Sequence, residues 1–299
     1  MAGQVKRWAA GALAMIALAG CGQTPADPPM RDADPALWVV RDADTTIYLF
    51  GTVHMLKPGL SWFDEAVKQA FDASGELVLE TVVPDDAEMG ALVAELGTQA
   101  DGPALPDQLA PADAAALRKA LPALGMAPEA LDRTEPWLAA TLLASLPLKK
   151  LGYDEKQGAE AVLTAAARKA GKPVSGLESV RQQLGYFDTL PMPAQRALLA
   201  ETIRSLPQAG KTIDAAVAAW SAGDPDALGR LVNEDVAKSP ELSEALLAKR
   251  NRNWAGWVER RMARPGTVFV AVGAGHLAGG GSVQDELATL GLKAERIPY

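Results

Sequence analysis

Cysteine is nearly missing from this chain, with one residue in 299, and histidine is almost as scarce, with two. A single thiol excludes an internal disulfide framework and any multi-cysteine metal site. No basic cluster follows the first few residues, the formal net charge is −8 and the isoelectric point is near 5.0. That balance argues against nucleic acid as a partner. There is no G-x-S-x-G elbow, so a serine nucleophile of that kind is not indicated. The two histidines do not follow the H-E-x-x-H spacing of helical zinc sites. What is present is apolar residues, 48% of the chain, enough for a sizeable core in one large domain or two ordinary ones.

The N-terminus reads as a targeting segment. Lys6 and Arg7 precede an apolar run of thirteen residues from Trp8 to Gly20, too short to span a bilayer. The run ends in Leu18-Ala19-Gly20-Cys21. Small residues before a cleavage point mark a secretory signal, and this sequence resembles a bacterial lipobox. Residues 1–20 are thus read as a lipoprotein signal peptide and Cys21 as the lipidated residue, which anchors the chain to a membrane surface. Gly22 follows the cysteine; in known lipoproteins this favours export to an outer membrane, here its periplasmic face. Residues 21–36, with Pro25, Pro28, Pro29 and Pro35, are read as a tether that does not pack. The folded domain is expected over 37–299.

Each histidine ends a G-x-x-H motif. Gly51-Thr52-Val53-His54 follows the apolar run Ile47-Tyr48-Leu49-Phe50, and Gly273-Ala274-Gly275-His276 follows Val268 to Val272. Such runs, rich in β-branched and aromatic residues and stopped by glycine, predict buried strands. After each motif comes Ser-x-x-Asp, at Ser61 to Asp64 and at Ser282 to Asp285, read as helix caps. A strand is then expected at 77–79, ending in Glu80, and another at 293–297. The spacing therefore predicts an α/β protein. Its mixed sheet core is built from two related strand-GxxH-helix-strand halves, 37–84 and 265–299, which could pair about a pseudo-two-fold axis. Residues 85–264 read as a mostly helical insertion with Pro or Gly at its joints. Helices are expected over 85–96, 111–121, 135–151, 159–170, 179–189, 194–206, 213–222, 225–238 and 241–263. A short strand at 173–175 carries Glu178 at its exit.

Histidines at the carboxyl ends of strands stand where α/β sheets bind ligands. Two imidazoles and a carboxylate meet the three-ligand count of a catalytic divalent metal such as Zn. His54, His276 and Glu80 are the candidate ligands. Glu178 is either a fourth ligand or the base that takes a proton from bound water. The competing reading makes each histidine a hydrogen-bonded structural residue. Arg250 or Asn251, inside the last long helix, could hold a substrate carboxylate or oxyanion. Tyr153-Asp154 is a further candidate of that kind.

These residues resemble the TraB/GumN family, related to the Tiki metalloproteases. The resemblance rests on Leu49 to His54, Glu76 to Glu80, Gly176-Leu177-Glu178, Arg250-Asn251 with Trp254, and Val272 to Leu277 with Gly279. It covers the chain from about Leu37 to its end. It implies an α/β core of two related halves with a helical insertion, and a divalent metal, Mn or Co, on His54, His276 and Glu80. Erythromycin esterase-like enzymes in the wider superfamily are hydrolases with similar His and Glu positions, and other members bind haem. The expected function is a membrane-anchored, metal-dependent hydrolase, a peptidase acting on a peptide or small-molecule substrate. The alternative is a lipoprotein that binds haem or a peptide, or inhibits a partner, without turnover.

Overall fold

A computed structural model of the chain describes residues 30–299. The signal segment, Cys21 and residues 22–29 lie outside the described residues. The strands are β1 (Arg31–Asp32), β2 (Leu37–Arg41), β3 (Thr45–Thr52), β4 (Leu60–Ser61), β5 (Glu76–Leu79), β6 (Val174–Gly176), β7 (Gly266–Gly273) and β8 (Glu295–Arg296). The helices are α1 (Glu65–Ala73), α2 (Asp86–Gly97), α3 (Pro111–Ala123), α4 (Pro136–Lys150), α5 (Ala159–Lys169), α6 (Val180–Asp188), α7 (Met192–Ser205), α8 (Ala209–Ser221), α9 (Pro225–Val232), α10 (Glu234–Ala237), α11 (Pro240–Ser243), α12 (Lys249–Met262) and α13 (Val283–Thr289).

The fold is the expected mixed α/β sheet with helical elements. Strand order is β6-β5-β7-β3-β2-β8. β6, β5, β7 and β3 run parallel, while β2 is antiparallel to β3 and β8 is antiparallel to β2. The hairpin between β2 and β3 turns on Asp42, whose carboxylate accepts from the amides of Asp44 and Thr45 (3.1 and 2.8 Å), a turn device typical of Asp. Side chains alternate across the sheet. Phe50, Leu77, Leu79, Phe269 and Ala271 face a core closed by α1, α5 and α8. Ile47, Leu49, Val78, Val268, Val270 and Val272 face a second core closed by α12 and α13. Both faces are thus covered, which is why these strands read as continuous apolar runs. Helices α3, α4 and α7 bury a satellite core of their own around Leu117, Leu121, Leu143 and Leu199.

The two G-x-x-H strands are neighbours in register, from Thr45 opposite Gly266 to Thr52 opposite Gly273. The helices that follow them lie on opposite faces, as rotation about an axis along the strands would place them. The equivalence stops at β2, which stands between β3 and β8.

Four expectations change. Residues 31–36 are no free tether: β1 pairs in parallel with β4, Ala33 is buried, and Tyr299 donates to the carbonyl of Pro35. Ser61 is not a helix cap, because its backbone belongs to β4; its hydroxyl bonds the Asp64 carboxylate, and α1 starts after Asp64. The second Ser-x-x-Asp does form a reciprocal capping box, Ser282 with Asp285, so the two halves differ here. The strand expected over 293–297 narrows to β8, and the helix expected over 225–238 divides into α9 and α10.

Phe50 is the centre of an aromatic cluster with Trp62 (5.5 Å, stacked), Phe269 (5.8 Å) and Trp220 (6.3 Å). Trp220 in turn donates its indole N–H to the carbonyl of Gly51 (2.8 Å), tying the core to the first G-x-x-H turn. Phe50→Ala leaves a cavity at a fully buried ring and is expected to cost about 3–5 kcal/mol. Urea unfolding monitored by tryptophan fluorescence measures it; a loss under about 1 kcal/mol would mean that the neighbouring rings collapse into the gap.

Candidate active site

The parallel strands end along one edge, and their exits deliver the polar groups. Leu79 lies opposite Ala271 and Gly176, so Glu80, Glu178 and the Gly273 turn converge. Arg250 and Asn251 arrive from the opposite side on α12. α11, a π-helical turn over Glu244–Ala248 and α12 form one continuous helical run. A π turn inserts a residue and re-aims the side chains after it; here Arg250 is the second residue past the turn and donates back to the carbonyl of Leu246 (3.4 Å).

Arg250 is only 7% exposed. Its Nε lies 3.1 and 3.2 Å from the two oxygens of Glu178, and its Nη2 donates to Glu178 (3.0 Å) and Glu80 (2.6 Å). Its Nη1 donates to Nε2 of His276 (3.0 Å). The ring of Trp254 lies 4.6 Å from the guanidinium carbon and that of Tyr186 5.6 Å, both within cation–π range. Glu80 is further bonded by the Gly273 amide (2.6 Å) and the Gln183 amide (2.8 Å), and Glu178 by the Trp254 indole (3.0 Å). Gly273 must be glycine for this: a Cβ there would sit 2.9 Å from the Glu80 carboxylate.

The tautomer of His276 is set by its partners. Arg250 can only donate, so Nε2 carries the lone pair. Nδ1 then donates to the Asn251 Oδ1 (2.6 Å), and the Asn251 amide N–H donates to the carbonyl of Gly281 (2.7 Å). Burial, aided by Arg250 and opposed by Glu80, pushes the His276 pKa down to about 4. Burial works against the charge of Glu80, but Arg250, His276, His54 and the Gly273 amide outweigh it and lower its pKa to about 2.

His54 occupies a different environment. Its side chain is 72% exposed, and Nδ1 lies 2.6 Å from Glu160. Glu160 also accepts from the Thr52 hydroxyl (2.5 Å). It sits in the first turn of α5, whose start is drawn against the histidine loop by the Ala159 amide bonding the Val53 carbonyl (3.0 Å). Gly158 permits that approach, since a Cβ would fall 2.0 Å from the carbonyl oxygen of His54. The carboxylate of Glu160, by charge and by hydrogen bond, raises the His54 pKa above the ordinary imidazole value. Exposure lets solvent screen part of that pull without changing its direction.

The edge therefore brings Glu80, Glu178, Arg250 and His276 into one bonded cage and places His54 beside it, coupled to it through charge. Among the described residues, no three His, Cys, Asp or Glu side chains stand together as a metal-ligand group. The expected trio His54, Glu80 and His276 is not assembled as ligands. The one lone pair of neutral His276 is used by Arg250, both carboxylates are neutralised by the same guanidinium, and His54 is bonded to Glu160. As arranged, these residues do not fit a metal ion. Tyr153 and Asp154 stand apart from the cage: Tyr153 donates to Asp214 (2.6 Å), which also pairs with Lys57 (2.9 Å), and Asp154 caps its own turn by accepting from the Lys156 amide (2.8 Å). Glu160 and Gln183 do not stand out in the sequence. An acid in a first helical turn reads as an ordinary dipole partner, so Glu160 carries no distinguishing signal.

The TraB/PrgY/gumN family pattern matches residues 36–296. The chain belongs to this family. It is 24% identical over 258 residues to an uncharacterized Escherichia coli (strain K12) protein called YbaP, covering 85% of this chain and 92% of that one. It is 25% identical over 268 residues to an uncharacterized protein of Treponema pallidum (strain Nichols), covering 83% and 78%. No solved structure matches. In this member both G-x-x-H turns lie at the parallel-strand edge, with the buried arginine between the second turn and the two glutamates.

Linkage sets the acid behaviour of the cage. The unfolded chain takes up a proton on His276 near pH 6.5, the folded chain only near 4. Stability contributed by neutral His276 is thus complete above pH 6.5 and is lost as pH falls from 6.5 towards 4. Urea unfolding across that range is expected to show the decline in the wild type and a shallower one in His276→Gln. Equal slopes would mean that the ring is not held neutral.

Proposed function

We propose that the chain is a hydrolase of neutral amide or ester bonds, with peptides the first class to test. The observation that carries this reading is the Thr52–Glu160–His54 series. A hydroxyl orients a carboxylate, the carboxylate holds Nδ1–H of an imidazole, and the ring projects into solvent with Nε2 left for a water. A base oriented by a buffered carboxylate is the arrangement that water activation requires. Thr52, Glu160 and His54 are joined by contacts of 2.5 and 2.6 Å, short enough to fix ring and tautomer. A pKa raised by Glu160 puts this base to work on the alkaline side of neutrality.

The cage beside it supplies fixed charge. Two glutamates against one arginine leave that edge net negative, and the His54–Glu160 pair adds a further negative charge once His54 has lost its proton. Such an edge repels phosphate esters and free carboxylates and favours neutral or cationic substrates. Water is the nucleophile in this proposal, and the sequence carries no G-x-S-x-G elbow.

This activity would be held at a membrane surface, on the support of the Leu18 to Cys21 sequence. Cys21→Ala is expected to abolish labelling by radioactive palmitate in an expressing bacterium and to release the chain into the soluble periplasmic fraction. Undiminished labelling would remove the anchor from the reading.

The chemistry is tested with a peptide library and activated esters. His54→Ala is expected to lower kcat/KM by about 10²–10⁴-fold. The rate should rise with pH as the His54 imidazole loses its proton. Glu160→Gln removes the charge that raises this pKa, so the rise should move to lower pH while the plateau falls. Hydrolysis that persists unchanged in His54→Ala, or a limb that stays in place in Glu160→Gln, would sink the assignment.

A further inference from the structure

The guanidinium of Arg250 stands where a cation would be placed by anyone reading Glu80, Glu178 and His276 as ligands. Its five N–H donors meet Glu178 twice, Glu80, His276 and the carbonyl of Leu246 at 2.6–3.4 Å. The rings of Trp254 and Tyr186 add two π faces. No donor is left for substrate, and the side chain is almost wholly out of solvent.

We propose that Arg250 is the built-in cation of this site, and that its guanidinium takes the place of a divalent metal between Glu80, Glu178 and His276. A metal ion could reach these groups only by displacing a buried guanidinium, which would strand a charge without partners. It would also need the lone pair of His276, already accepting from Nη1. Conversely, the cage does for the carboxylates what a metal would do. It holds two like charges close together, fixes their oxygens in direction, and sets charge that acts on His54. Lysine would keep the positive charge but not the fixed directions, because a point charge with three donors cannot span two carboxylates and an imidazole in one plane.

Exclusion of metal is independent of which bond the site hydrolyses, so the test counts metal and not turnover. The purified, untagged full chain is dialysed against Mn(II), Co(II) or Zn(II), freed of excess metal and assayed by elemental analysis. The wild type is expected to retain less than about 0.1 ion per chain, and its melting temperature should not move with metal or with a chelator. Arg250→Met vacates the cage and is expected to take up about one Co(II) per chain, with a visible d–d absorption that Arg250→Met/Glu178→Gln loses. About one ion per chain in the wild type, removed by Glu80→Gln or His276→Ala, would overturn the proposal. So would a folded Arg250→Met that takes up no metal, since the guanidinium would then not be what keeps it out. If Arg250→Met does not fold, the wild-type count decides alone, with Arg250→Lys as the second variant: it keeps the charge and is expected to remain metal-free.

Discussion

A buried guanidinium is tolerable only when every N–H it carries is matched, and that condition organises the carboxyl edge of this sheet. Arg250 needs acceptors from several directions at once. The strand register supplies them: β5 and β6 end together, so Glu80 and Glu178 leave adjacent strands within reach of one planar group. β7 ends beside them and adds His276 and the Gly273 amide. On the far side, the π turn before Arg250 lets one helical run deliver Arg250 and Asn251 to the cage and Trp254 to the core beneath it. Sheet register, helix irregularity and charge pairing are therefore parts of one constraint. Removing either carboxylate changes the electrostatic reason for the other elements to sit where they do.

Close approach is the second condition. The glycines of the two G-x-x-H turns do different work. Gly51 lets the first turn pack on the second, since a Cβ there would lie 3.0 Å from the Ala274 Cβ. Gly273 lets a carboxylate reach backbone. Neither depends on left-handed backbone, so an account based only on conformational freedom would miss why a side chain is excluded. Gly158 plays the matching part for the His54 loop.

Much of this is legible in the chain itself. Strands buried on both faces advertise themselves as unbroken apolar runs, and Pro and Gly mark the helix joints. The G-x-x-H turns, Glu80, Glu178 and Arg250 can be picked out because each is a polar residue at a strand exit or within an otherwise packed helix. What stays hidden is what depends on partners far away in sequence. Ser61 carries a capping pattern, yet its backbone is claimed by Asp32 across β4 and β1. The Pro-containing stretch before Leu37 reads as loose, yet Ala33 and Pro35 are pinned by the domain. Glu160 reads as a helix-start acid until α5 is seen against the His54 loop. The arginine among the glutamates is hidden in the same way: Arg250 stands 170 residues from Glu80 in sequence, and only the fold shows it bonded to both carboxylates.

The duplicated motif also shows how one local pattern yields two chemistries. Both histidines leave parallel neighbouring strands through the same four-residue signature, so sequence treats them as equivalent. Their surroundings do not. His276 faces the closed side, where burial and Arg250 keep it neutral and its two nitrogens are committed to Asn251 and Arg250. His54 faces the open side, where a single carboxylate raises its pKa and one nitrogen is left over. Opposite shifts on paired titratable groups are how a site separates its proton-handling group from its scaffold. Here the separation comes from burial depth at two ends of an internal repeat. The symmetric motif supplies position, and the asymmetric helices packed over it, α5 on one side and α12 on the other, assign the roles.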